Sequence, residues 1–169
     1  NNNILSDRMR MRGVNVAQIT YFPIEYDSEN QTLTIIEDID ITILENDNFG
    51  NPASSGHIVP VSREFEKILS EMVVNLDLGD RVSDVLPSIL FICGGSSSSN
   101  SYLQDLIQWR KEQGYKVFVA NTSDIGSSFS SISSYIEDAY YNWEFPPEYI
   151  VLVGDTGGTY QVSTTTTSG

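Results

Sequence analysis

Cysteine, histidine and basic charge are what this sequence has least of. Cys93 is the one cysteine in 169 residues, so no disulfide forms within the chain and no zinc knuckle can be built. His57 is the one histidine, which leaves Cys93–His57 as the sole thiol–imidazole pair to weigh. The pair is a poor dyad. His57 sits in a Gly/Ser/Pro loop, SSGHIVP, with no partner to hold its tautomer. Cys93 closes an apolar strand, where a cysteine is usually a small buried side chain. Lys and Arg number 9 against 23 Asp and Glu, a net charge of −14. That balance excludes a nucleic-acid partner, which needs a basic face, and disfavours an anionic membrane surface. It suits a well-solvated acidic surface. No apolar run is as long as a membrane span, and the N-terminal NNNILSDRMRMRG lacks the apolar core of a signal peptide.

Several motifs are missing as well. There is no G-x-S-x-G elbow to expose a serine nucleophile. The run GGSSSSN after Cys93 is neither G-x-G-x-x-G nor a loop ending in Gly-Lys-Ser/Thr, and no lysine follows to meet phosphate. No D-x-[DN]-x-[DN]-G calcium loop is present. The lack of an initiator Met and the polar tail STTTTSG read as two cuts from a longer polypeptide.

What is present divides into two grammars. Val14 to Tyr26 is rich in β-branched and aromatic residues and is interrupted by Pro23, the mark of an edge or a bulge. After the polar turn Asp27 to Gln31, residues Leu33, Ile35, Ile39, Ile41 and Ile43 alternate with polar ones, the period of a half-buried strand. These two runs predict a β-hairpin of an antiparallel sheet. One hairpin is not stable alone, so further strands are expected upstream of Asn1. Residues 45–60 read as a loop. Ser62 is a candidate N-cap for an amphipathic helix carrying Phe65, Ile68, Leu69, Met72, Val73 and Leu76 at helical spacing. A polar linker, Asp77 to Asp84, follows.

From Ser88 onward strands and helices alternate. Ile89 to Ile92 is a short apolar strand. Ser101 with Gln104 forms a capping-box pattern, opening a helix with Tyr102, Leu103, Leu106, Ile107 and Trp109 on one side and Gly114 at its end. Val117 to Ala120 is the next strand. Ile132, Tyr135, Ile136, Ala139, Tyr140 and Trp143 mark a second helix, stopped by Pro146-Pro147. Tyr149 to Val153 is the third strand. This order, βαβαβ, predicts an α/β unit with a parallel sheet and right-handed crossovers, strands covered on both faces. Functional groups in such sheets gather beyond the carboxyl ends of the strands. Gly94 and Gly95 after the first strand, Asn121 to Asp124 after the second, and Gly154 and Asp155 after the third are therefore the candidate cleft positions. Asp155 either caps backbone N–H groups in its turn, shapes a cleft, or binds a metal.

Three segments together carry a resemblance: LQDLIQWRKEQGYKV (Leu103 to Val117), ISSYIEDAYYNW (Ile132 to Trp143) and PPEYIVLVGD (Pro146 to Asp155). In this order they resemble the opening of the catalytic domain of gingipain-type cysteine peptidases. Arg12 to Ile43 is similar to the last strands of that family's propeptide, and Phe65 to Asp77 to the segment leading out of it. The resemblance implies a caspase-like, or Rossmann-like, α/β half domain preceded by an antiparallel hairpin from a β-rich propeptide. It divides the chain into residues 1–60 (end of the propeptide), 61–87 (helix and linker) and 88–169 (start of the peptidase domain). It implies an inactive, secreted or bacterial cell-surface precursor, with protein or peptide substrates and the rest of the precursor as its partners. The family's catalytic His lies in Gly-His-Gly and its Cys before Asn-Gly, both downstream of LVGD. Neither SSGHIVP nor FICGGS matches, so no catalytic residue is assigned in this chain, and Asp155 carries over in a structural or cleft-forming role. Members bind calcium as a structural ion, but the resemblance assigns no metal ligand here. Maturation cleavage is expected after Arg81. A non-catalytic binding module on the same scaffold and a nucleotide-binding α/β domain remain the alternatives.

Overall fold

A two-residue turn, Arg12-Gly13, sets the first hairpin. Both residues take positive φ (45° and 75°), the twist that suits a tight hairpin. A computed structural model of the chain describes residues 4–40 and 59–165. His57, Ile41, Ile43, most of the 45–60 loop and the last four residues lie outside the described residues. The chain divides into two compact units, residues 1–57 and 58–169.

In the first unit, β1 (Ile4–Met11) pairs antiparallel with β2 (Val14–Tyr21), and β3 (Ile24–Asp27) with β4 (Thr32–Ile35). The single hairpin expected from Val14–Tyr26 and Leu33–Ile43 is thus two. Pro23 cannot donate to a ladder, and the strand breaks there. Pro23 still accepts from the N–H of Ile36, 2.9 Å away, which closes the second hairpin. Strand β4 ends at Ile35 although the alternation of apolar residues runs on. Further strands are expected upstream of Asn1, but the partner of β2 is β1, inside this chain, where Arg8 and Arg10 mask the strand pattern. The β3–β4 turn is tied by Asp27. Its carboxylate accepts from the side-chain amide of Asn30 (2.7 Å) and from the N–H groups of Glu29 and Asn30. The Asn30 side chain first, then the two backbone donors, hold Asp27 below its ordinary pKa.

In the second unit, α1 (Arg63–Met72) starts on Ser62, whose Oγ accepts from Phe65 N–H. The helix stops before Val73-Val74-Asn75, three poor helix formers, and buries only Phe65 and Leu69 of the expected stripe. Strands β5 (Ser88–Cys93), β6 (Lys116–Asn121) and β7 (Tyr149–Val153) form a parallel sheet in the order β6-β5-β7. Helix α2 (Ser101–Glu112) packs on one face, against Ile89, Phe91 and Cys93. The one-turn α3 (Thr122–Ile125) and α4 (Phe129–Asn142) lie on the other, against Leu90 and Ile92. Only β5, in the middle, is buried throughout; β6 and β7 keep exposed positions such as Val119, Ile150 and Leu152.

Helix α2 departs from its sequence pattern in two respects. Asn100, not Ser101, is its N-cap, accepting from Tyr102 and Leu103 N–H, while Gln104 donates to Ser98 C=O instead of completing a capping box. Its buried side chains are Leu103 and Ile107; Tyr102 (83% exposed) and Trp109 (50%) point outward. The guanidinium of Arg110 sits 4.6 Å from the centre of the Trp109 ring, giving that exposed aromatic a cationic cover. Gly114, at φ +91°, ends the helix turn as expected.

At the amino ends of the strands a carboxylate ties α1 to the sheet. Glu148 accepts from Ser62 N–H and Ser62 Oγ, both at 2.7 Å. Its own N–H donates to Ser88 C=O. Next to it, the Tyr149 ring meets Phe65 edge-on at 5.7 Å. Burial, and then the neighbouring Tyr115, Glu148 and Glu64, push the Tyr149 phenol up to about 12.

Candidate functional site

The strand order decides where a cleft opens. The chain leaves β5 for β6 on one side, then crosses back to β7 on the other. The carboxyl ends of β5 and β7 therefore flank a point where the crossovers diverge, the place where open α/β sheets bind ligands. An open cleft of about 710 Å³ lies there. Its walls come from the loop after β5 (Ser96, Ser97, Ser99, Asn100) and the end of β7 (Val153, Gly154, Asp155), with Tyr160. Of the three strand ends expected to gather function, the third contributes Gly154 and Asp155 directly, while the first reaches the cleft through the loop beyond Gly94 and Gly95. The second, Asn121 to Asp124, turns directly into α3; Asn121 and Ser123 donate to the Asp124 carboxylate there.

Gly94 and Gly154 have a steric task. The segment Thr159 to Val162 folds back across the ends of β5 and β7. A Cβ on Gly94 or on Gly154 would lie 2.2 Å from the Tyr160 carbonyl oxygen, and one on Gly95 would lie 2.3 Å from that of Thr159. No side chain fits, so glycine lets the backbones meet. The returning segment is pinned by backbone bonds: Asp155 N–H to Tyr160 C=O (3.0 Å) and Val162 N–H to Asp155 C=O (2.8 Å). Val162 itself is buried in the α4-side core. Sequence reasoning missed this segment and Tyr160. The available signal was a lone Tyr and Val between a Gly pair and a Thr run.

Asp155 is exposed, and one carboxylate oxygen, Oδ1, accepts from Thr156 N–H at 2.7 Å. The carboxylate thus orders its own turn and lines the cleft at once. Among the described residues no three His, Cys, Asp or Glu side chains converge.

Cys93 lies at the end of β5 with no exposed surface. Burial raises its thiol pKa, and the hydrogen bond with Ser97 only partly opposes that. A nucleophile needs the reverse shift. We expect a thiol reagent to leave Cys93 unmodified in the native chain and to react promptly after denaturation. Rapid native-state labelling would show a thiolate that this environment cannot produce.

Arg81 sits in a 3-10 turn (Gly79–Arg81). Its C=O accepts from Val61 N–H at 2.8 Å and its guanidinium donates to Val59 C=O at 3.4 Å.

Residues 85–166 match the model of peptidase family C25. The match covers a little under half of the chain, and it takes in all three parallel strands, α2 to α4 and the returning segment through Val162. It supports a fragment of a C25, gingipain-type cysteine peptidase. No curated protein and no solved structure matches the chain. The C25-like segment contains Cys93 but no histidine, so a thiol–imidazole pair cannot be assembled within it. No helix among the described residues is long and apolar enough to cross a membrane.

Proposed function

We propose that this chain is part of the precursor of a secreted gingipain-like cysteine endopeptidase. Residues 1–60 are the end of its β-rich propeptide, 61–87 the connecting helix and linker, and 88–169 the first α/β portion of the peptidase domain. The observation that carries the reading is the C25 match over 85–166, which coincides with a βαβαβ unit whose strand ends enclose a cleft. Within this reading Gly154 and Asp155 line the cleft, Gly94 and Gly95 seat the segment that returns beside it, and peptide-bond cleavage by thiolate acyl transfer uses a His and a Cys from sequence beyond this chain. The buried, raised-pKa thiol of Cys93 favours that division of labour.

The purified 169-residue chain is expected to hydrolyse no peptide substrate. Fluorogenic peptide assays of the wild type and Cys93→Ala decide the matter. Hydrolysis above background that disappears in Cys93→Ala overturns the proposal.

Maturation by cleavage after Arg81 belongs to the same reading. Because the Arg81 turn is tied to Val59 and Val61, cleavage needs that turn to open first. N-terminal sequencing of the processed protein is expected to begin at Val82. A start upstream of Asp77, or inside β5, rules this out.

A further inference from the structure

Hairpin β3–β4 presents one wholly apolar face. Strand alternation puts Ile24 and Tyr26 on the same side, and the register pairs Ile24 with Ile35 and Tyr26 with Leu33. These four side chains are 58%, 63%, 61% and 59% exposed in the order Ile24, Tyr26, Ile35, Leu33. The opposite face is polar, with Glu25 against Thr34 and Asp27 against Thr32. A two-stranded hairpin with an uncovered apolar face has little to hold it folded in water, and contiguous exposed apolar surface marks an interaction site.

Charge says what covers it. From Gly13 to Asp40 the sequence has six carboxylates, Glu25, Asp27, Glu29, Glu37, Asp38 and Asp40, and no Lys or Arg. They lie on the back of the hairpin, in its turn and just beyond its end. Hydrogen bonds in the turn favour the ionised form of Asp27. A second copy of this chain, at a net charge of −14, would bring like charges together around the apolar patch. We propose that this face docks a basic polypeptide surface: an apolar strand or patch bordered by Lys or Arg. Burial of Ile24, Tyr26, Leu33 and Ile35 supplies attraction, and the surrounding carboxylates select the sign of the partner. The proposal stands on the hairpin alone and does not need the peptidase reading.

The test titrates the full 169-residue chain with three synthetic β-hairpin peptides. Their strands alternate Val with Lys, Thr with Lys, or Val with Glu. The Val/Lys peptide is expected to bind about tenfold or more tighter than either of the others, with affinity falling as salt rises. Leu33→Ser should weaken it about tenfold. If that variant unfolds the hairpin, Asp38→Lys with Asp40→Lys, outside both strands, should weaken it instead. Equal binding of the two Lys peptides would mean charge alone acts. Equal binding of the two Val peptides would mean the carboxylates select nothing. Either result, no binding at all, indifference to Leu33→Ser in a folded chain, or a sedimentation dimer lost in Leu33→Ser overturns the proposal.

Discussion

Gly94→Ala is expected to lower the thermal midpoint of the second unit by roughly 10 °C, the result of about 2–3 kcal/mol of overpacking. The cause is local. A methyl group there meets the Tyr160 carbonyl oxygen at 2.2 Å and its carbon at 2.5 Å, and neither belongs to a flexible side chain that could swing aside. Relief requires the returning segment to lift, which breaks the bonds of Asp155 N–H to Tyr160 and of Val162 N–H to Asp155. Val162 would leave the α4-side core with it. Hydrogen exchange at the Val162 amide should therefore accelerate in the variant. Gly157→Ala is the control, because a Cβ there meets nothing within 4 Å. If the two variants melt alike, the seating of Thr159 to Val162 on the strand ends is wrong.

Glu148→Ala should cost a comparable amount, roughly 3 kcal/mol, because it removes two hydrogen bonds to a charged acceptor and strands a buried donor. The donor is the N–H of Ser62, a residue with no exposed surface that also caps α1. Ser62 Oγ loses its acceptor as well. The expected fall in midpoint is on the order of 10 °C for a unit of this size. Glu144→Ala, an exposed carboxylate a few residues earlier, removes the same charge without those contacts and should be close to neutral. Equal effects would mean that net charge, not the link between α1 and β7, sets the stability.

Residues 88–153 were the most legible part of the chain. The apolar run Ile89 to Ile92, the helical spacing of Ile132 to Trp143 and the stops at Gly114 and Pro146-Pro147 each report a local preference; the strands and α2 stand where their patterns put them, give or take a residue, whereas α4 starts three residues earlier, at Phe129, and the one-turn α3 had no pattern to announce it. The first unit was less legible. Pro23 signalled an interruption, but the run either side of it has the same β-branched composition, so one long strand and two short ones look alike. Strand β1 carries Arg8, Arg10 and Met residues that give no clean alternation, and only its pairing with β2 reveals it. In α2, Tyr102, Leu106 and Trp109 share apolar character with Leu103 and Ile107. Composition could not tell which side the sheet would take.

By itself the sequence determined the class of the second unit, the order of its elements and the absence of a working thiol–imidazole pair in the C25-like segment. Those follow from local periodicity, from glycine and proline punctuation, and from which residue types are present at all. The tertiary structure alone decided that β5 is central, that the ends of β5 and β7 share a cleft while β6 does not, and that Tyr160 lines it. It also decided that Glu148 holds Ser62 across 86 residues of sequence. Each depends on contacts between segments far apart in the chain, where strand order, crossover direction and the close approach of two backbones set geometry that no local window of sequence records.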